Sequence, residues 1–254
     1  MRLRAEQLTI AIGARVLCRD LNLDIAPGEL WGVLGCNGSG KTTLLHALAG
    51  LAPVAAGNIA VDDRRLADYT RRELGRALGI LLQREDGEFW GSVREYVILG
   101  RYAHGRSLFG WHADDEAAAD RALAAFDLAA HAAQAYSTLS GGERQRARLA
   151  QLWAQGPRIA LLDEPLQHLD LRHQLQVLQL LRAATRETGV AAALVLHDLA
   201  FAGRCDRILM LYGDGRYATG TAAELLQPEK LSVLYGCSVR AFGDGADAHF
   251  IPVI

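Results

Sequence analysis

Long apolar runs are missing from this chain of 254 residues. Its longest, such as Val190 to Leu196, fall far short of the ~20 residues a spanning helix needs. The chain is therefore not expected to cross a membrane, and these runs suit buried strands. The opening residues Met1-Arg2-Leu3-Arg4-Ala5-Glu6 hold no apolar signal core, so no secretory leader is expected. Cysteine is scarce and scattered: Cys18, Cys36, Cys205 and Cys237 form no CxxC pair. That argues against a zinc site or a disulfide framework and favours a reducing cytoplasm. Charge of one sign is also lacking. With 27 basic and 29 acidic residues the formal net charge is −2, so no global basic field draws nucleic acid or an anionic membrane surface. Internal repeats and low-complexity linkers are absent as well. What remains is ordinary globular material, 50% apolar and 22% charged, long enough for one large domain or two small ones.

The order of segments is α/β. Leu8 to Ile12, Val16-Leu17, Leu21 to Ile25 and Leu30 to Leu34 are short and apolar. Asn22 and Asp24 alternate with Leu21, Leu23 and Ile25, the period of a half-buried strand. Ala26 to Glu29 reads as a turn, and Gly57 to Asp63 as a turn and strand. The arginines at 64, 65, 71, 72 and 76, interrupted by Asp68 and Glu73, read as a solvated helix face. From about Ser92 to Ala135 alanine becomes dense, and Asp114 to Phe126 carries good helix formers, so a helical insertion is expected there. Beyond it, Arg158 to Asp163 and Val190 to His197 read as buried parallel strands, with a crossover helix at Gln174 to Arg186. Short strands are expected at Ile208 to Leu211 and Gly215 to Thr219, and a helix at Thr221 to Leu226.

Three stretches carry chemistry. The first is Gly35-Cys36-Asn37-Gly38-Ser39-Gly40-Lys41-Thr42-Thr43, between the apolar Leu30 to Leu34 and a helical Thr43 to Leu51. Strand, glycine-rich turn and helix in that order form a phosphate-binding P-loop. Backbone N–H groups cradle phosphate oxygens, and the helix N-terminus adds its positive end. Lys41 is placed to reach the β- and γ-phosphates and the Thr42 hydroxyl to meet Mg²⁺. The second is Ile159 to Pro165, an apolar strand ending in Asp163 and Glu164. Asp163 there would hold Mg²⁺ through its water shell, and Glu164 would stand where water attacks the γ-phosphate. The third is Leu139-Ser140-Gly141-Gly142-Glu143 before a helical run to Gln155, a second helix end with free N–H groups or a plain helix cap.

With these motifs the chain resembles the ATP-binding cassette (ABC) ATPases nearly end to end. Leu139 to Glu143 is similar to the family signature, with Glu143 in place of the commoner Gln. Gln83 resembles the Q-loop glutamine, Leu166 to Asp170 the D-loop and His197 the switch histidine. The resemblance implies a P-loop NTPase core with a mainly parallel sheet, an N-terminal antiparallel β portion and a helical subdomain inserted at roughly 88–155. One nucleotide-binding domain would span 1–254. It implies ATP and Mg²⁺ as cofactors, and Lys41, Gln83, Glu164 and His197 as catalytic groups. Gly35 to Thr43, Ser140 to Glu143 and Asp170 would contact nucleotide, and Thr42, Gln83 and Asp163 the metal. Two cassettes would clamp two ATP molecules head to tail, each P-loop facing the partner's Ser140 to Glu143. Two departures stand out. Ile12 occupies the place of an aromatic ring that commonly lies against adenine, and an aliphatic side chain packs on a purine without a ring's stacking preference. Cys36 replaces a residue that is often proline and contributes mainly backbone.

Gly100 to His104, Glu164 to Gln174, Leu149 to Gln151 and Ile251 to Val253 resemble importers of iron-siderophore, haem and cobalamin complexes. His104, His168 and His173 mark that kinship and read as surface histidines, not ligands. The implied protein is the peripheral ATPase subunit on the cytoplasmic face of the cell membrane. It would drive a separate permease dimer, act indirectly with an external binding protein, and take no nucleic acid. No regulatory domain of the kind many sugar importers append is expected after the cassette. A soluble ABC ATPase of the repair, translation or iron–sulfur type is the alternative. About a hundred residues without heptads separate P-loop and signature, which disfavours the repair type. An exporter subunit is the third reading.

Overall fold

Along each central strand, successive side chains enter two different hydrophobic cores. The computed structural model describes residues 1–83, 88–105, 110–243 and 249–253. The chain begins with β1 (Leu3–Ile12), β2 (Arg15–Ile25), β3 (Leu30–Leu34), α1 (Lys41–Leu48), β4 (Ala56–Val61) and β5 (Arg64–Arg65). It continues through α2 (Arg71–Ala77), β6 (Leu78–Leu81), α3 (Val93–Ile98), a 3-10 segment Leu99–His104, α4 (Ala113–Ala125) and α5 (Gly141–Gln155). There follow β7 (Ile159–Asp163), α6 (Leu171–Thr188), β8 (Ala191–Val195), α7 (Leu199–Ala202), β9 (Arg207–Leu211) and β10 (Tyr217–Thr221). Two helices, α8 (Ala222–Leu225) and α9 (Pro228–Tyr235), and the hairpin β11 (Val239–Phe242) and β12 (His249–Pro252) complete the described residues.

The main sheet has the order β10-β9-β3-β8-β7-β6, parallel except for β10. Leu30, Leu34, Ala160, Leu162, Ala192 and Leu194 enter a core shared with α3 to α6 and α9. Their neighbours Trp31, Val33, Ile159, Leu161, Ala191 and Ala193 enter a second core, shared with α1 and the antiparallel sheet β2-β1-β4-β5. Burial on both faces is why these strands read as unbroken apolar runs. The expected alternation at Leu21, Leu23 and Ile25 is also present, with Asn22 and Asp24 exposed. Val16-Leu17 and Leu21 to Ile25, separate in the sequence reading, belong to the single strand β2. The helix expected at Thr43 to Leu51 starts at Lys41 and ends at Leu48, ahead of Gly50, whose φ is 71°. The crossover helix begins earlier than expected, behind the Asp170 cap.

Helices α3, α4 and α5 fall between β6 and β7 in sequence, as the resemblance implies; residues 84–87 and 106–109 of that interval lie outside those described. Their packing explains the Gly100 to His104 stretch. A Cβ on Gly100 would stand 2.1 Å from the Gln151 carbonyl oxygen of α5, so the 3-10 segment lies directly on that helix. Arg101 pairs with the buried Asp115 at 2.8 Å and donates to the Ala154 carbonyl. His104 Nε2 meets the Gln155 carbonyl at 2.9 Å, so it is not the plain surface histidine the sequence suggested. Arg72 and Arg76 likewise depart from a merely solvated face. Both donate to the Ala103 carbonyl, at 3.2 and 2.8 Å. Gly100→Ala is expected to cost about 1–3 kcal/mol, because backbone cannot yield to the methyl. Thermal unfolding followed by circular dichroism should then show a loss of about 2–4 °C per kcal/mol. An unchanged Tm would mean that the two segments are not held together here.

Candidate functional site

Four adjacent parallel strands, β3, β8, β7 and β6, release their loops at the same carboxyl edge, where open α/β sheets bind ligands. The loop from β3 to α1 spans Gly35 to Gly40. Gly35 is required by close approach, since a Cβ there would meet the Leu211 carbonyl and the Ser39 hydroxyl, each at 2.5 Å. Gly40 has φ 103° as it caps α1, and a Cβ would sit 2.9 Å from Leu17 Cδ1. Ser39 is 2% exposed, and its hydroxyl is buried without a partner. Lys41 Nζ donates to the carbonyls of Gly35 (2.8 Å) and Cys36 (3.0 Å), curling over its own loop. Burial lowers its pKa, against the opposing pull of Glu164 and Asp163. Cys36 is exposed, and its thiol donates to the Leu234 carbonyl of α9 at 3.3 Å.

Strand β7 delivers the acids. Asp163 is 1% exposed, and neither carboxylate oxygen has a hydrogen-bond partner. Burial pushes its pKa up; the Thr42 hydroxyl nearby, short of a completed hydrogen bond, offsets part of that rise. Glu164 follows at φ 53°, a left-handed backbone that swings its side chain across the strand ends. Its carboxylate accepts from Gln83 Nε2 at 3.1 Å and lies 2.6 Å from His197 Nε2. Gln83 and His197, 81 and 33 positions away from Glu164, thus meet on its carboxylate.

Gly40, Lys41, Gln83, Glu164 and His197 line a cleft of ≈ 740 Å³ with Asn37, Gly38, Thr42 and Thr43, while the buried Asp163 lies behind its wall. Ile12, Arg15, Leu17 and Gln167 complete its walls; the sequence singled out Ile12 and, within the D-loop stretch, Gln167, but not Arg15. A two-residue turn, Gly13-Ala14, between apolar runs was the available sign that Arg15 would stand opposite Ile12. Ser140 to Glu143 and Asp170 do not reach this cleft. They cap helices instead. Ser140 and Glu143 form a reciprocal capping box at α5, and the Glu143 carboxyl is held below its usual range by the Ser140 hydroxyl and backbone N–H. Asp170 caps α6 and pairs with His173 Nδ1 at 2.9 Å, so His173 too has a partner.

Helix α5 nevertheless touches the acids indirectly. Buried Gln145 donates to the Pro165 carbonyl at 3.0 Å, while its amide oxygen accepts from Arg148 at 2.9 Å. Arg148 donates on to the Leu82 carbonyl. The neighbours of Glu164 and Gln83 are therefore strapped to the same helix that begins at Ser140. Among the described residues no helix is long and apolar enough to cross a membrane.

Known proteins are similar to this chain in sequence and fold. The family model described as ABC transporter matches residues 18–167. The ferric enterobactin transport ATP-binding protein FepC of Escherichia coli K12 is 38% identical over 244 residues, covering 96% of this chain and 90% of its own. The hemin import ATP-binding protein HmuV of Pseudomonas fluorescens Pf-5 is 39% identical over 243 residues, covering 93% of each. Among solved structures, an inward-facing ABC transporter described as metal-chelate type gives a TM-score of 0.83 at 28% identity, over 99% of this chain and 97% of that one. The ATP-binding cassette MJ0796, a dimer bound to ADP and Pi after hydrolysis, gives 0.77 at 26% identity over 87% and 98%. The folds agree across the parallel sheet, the antiparallel sheet and the helices between β6 and β7. This chain belongs to the ATP-binding subunits of ABC transporters.

Proposed function

We propose that residues 1–254 form the ATPase subunit of an importer for an iron chelate, a ferric siderophore or haem, bound peripherally to a permease on the cytoplasmic face of the membrane. The observation that carries this reading is the similarity to FepC and HmuV over more than nine-tenths of the chain. The cleft supplies the chemistry. The loop N–H groups and Lys41 bind the phosphates, trading the Gly35 and Cys36 carbonyls for phosphate oxygens. The chain's donors fit Mg²⁺: the orphaned Asp163 carboxylate beside the Thr42 hydroxyl offers hard oxygen ligands, with the Gln83 amide oxygen as a third. Mg²⁺ held by these groups would supply charge that neutralises the phosphates.

Glu164 accepts a proton from the attacking water, while Gln83 and His197 fix its carboxylate. Ser140 to Glu143 and Asp170, remote from their own cleft, suit contact with the nucleotide of a second copy, as does the dimeric state of the MJ0796 cassette. The strap through Gln145 and Arg148 would couple that contact to Glu164.

The test is to purify the tagged chain from its native membranes, identify the copurifying polytopic protein and reconstitute both in proteoliposomes. ATP-dependent uptake of a ferric siderophore or of haem is expected. Recovery with soluble partners only, or ATP-driven efflux, would overturn the importer reading.

A further inference from the structure

The outer wall of the nucleotide cleft is built on the β1–β2 hairpin, and its register determines which side chains face a bound base. Ile12 and Arg15 are direct partners across that hairpin. Directly opposed residues project from the same face. Leu17, two positions along β2, shares that face as well. Leu17 marks the phosphate end, since its side chain abuts Gly40 of the loop. The Ile12–Arg15 pair lies roughly 7 Å further out along the strand, the rise of two residues. All three side chains line the cleft. Ile12 is 59% exposed and brings no ring.

Arg15 is the planar group on that wall. Its Nε and Nη2 both donate to the Gly213 carbonyl, at 3.3 and 3.0 Å. Gly213 is itself wedged against the loop, for a Cβ there would stand 3.0 Å from Ser39 Cα. One edge of the guanidinium is thereby tied to the phosphate cradle, which orients its plane and leaves its faces for a ligand. A guanidinium is planar and weakly hydrated, and it stacks on aromatic faces where an ammonium cannot. We propose that Arg15, beside Ile12, is the purine-stacking residue of this ATP site, taking the place of an aromatic ring. The inference rests on the assignment of the cleft to nucleotide and is independent of the cargo.

The test measures Kd by titration calorimetry on the full chain for ATP and for inorganic tripolyphosphate. The variants are Arg15→Ala, Arg15→Lys and the double variant Arg15→Ala with Ile12→Tyr. Arg15→Ala is expected to weaken ATP about tenfold, within the range for losing one stacked base. Tripolyphosphate binding should stay unchanged, which also shows that the variant is folded. Arg15→Lys should fail to restore ATP affinity, and the added Tyr should restore most of it. Equal weakening of ATP and tripolyphosphate, or full rescue by Lys, would make Arg15 a phosphate-attracting charge and overturn the proposal. Unchanged ATP affinity in Arg15→Ala would overturn it too. A wild-type chain that binds neither ligand would instead remove the nucleotide assignment beneath it.

Discussion

Glu164→Gln is expected to lower kcat for ATP hydrolysis by about 10³-fold while leaving ATP binding close to that of the natural chain. The geometry makes the substitution selective. Gln matches Glu in shape, so the left-handed turn at φ 53° and the packing of a side chain only 7% exposed are retained. An amide oxygen can still accept from Gln83, now 3.1 Å away. What disappears is the proton acceptor and the charge that His197 Nε2 meets at 2.6 Å. Binding rests on different atoms, those of Lys41 and the loop Gly35 to Gly40. Phosphate release measured with the reconstituted transporter, beside calorimetric titration of ATP, separates the two effects. A kcat within tenfold of the natural value would assign water activation to another group. A matched loss of affinity would show that Glu164 serves binding.

Much of this site was legible because its determinants are local. A P-loop is one strand, one turn and one helix start, and the acids at 163 and 164 end an apolar run, so both announce themselves in contiguous residues. Gln83 and His197 were legible only through family resemblance. Nothing in their neighbourhoods says that they meet Glu164, and the meeting depends on the order of β6, β7, β8 and β3 in the sheet. Arg15 was missed for a similar reason. Its place on the wall follows from a hairpin register and from a carbonyl 198 residues away.

The histidines teach the converse point. His104 and His173 looked like bare surface in the sequence, yet each satisfies a neighbour, the Gln155 carbonyl and the Asp170 carboxylate. The short helix α9 and the hairpin β11–β12 escaped the sequence reading because eight and four residues are too few for a periodic signal. Tertiary partners, not propensity, decide such segments.

Asp163→Asn is expected to move two quantities in opposite directions. In chelator, without nucleotide, it should raise Tm at neutral pH; with Mg²⁺ present, it should abolish the ion's contribution to ATP binding. Both follow from one carboxylate that is 1% exposed, with neither oxygen partnered. Burial raises its pKa above that of the unfolded chain, with Glu164 adding to the rise and Thr42, His46 and Lys41 opposing it. A group of this kind stabilises the fold fully below its unfolded pKa and loses that contribution as pH rises through its folded one. Asn stays neutral throughout, so its advantage is complete above the folded pKa and shrinks as pH falls. The advantage vanishes below the ordinary carboxylate range. Relieving one unpaired buried polar charge is worth on the order of 1–3 kcal/mol, or about 2–4 °C per kcal/mol for a chain of this size. Thermal melts in chelator across that pH range, and ATP titrations with and without Mg²⁺, read the two effects separately. A Tm that falls at every pH would mean the carboxylate is already paired within the folded chain. Its strain would then not be what the metal relieves.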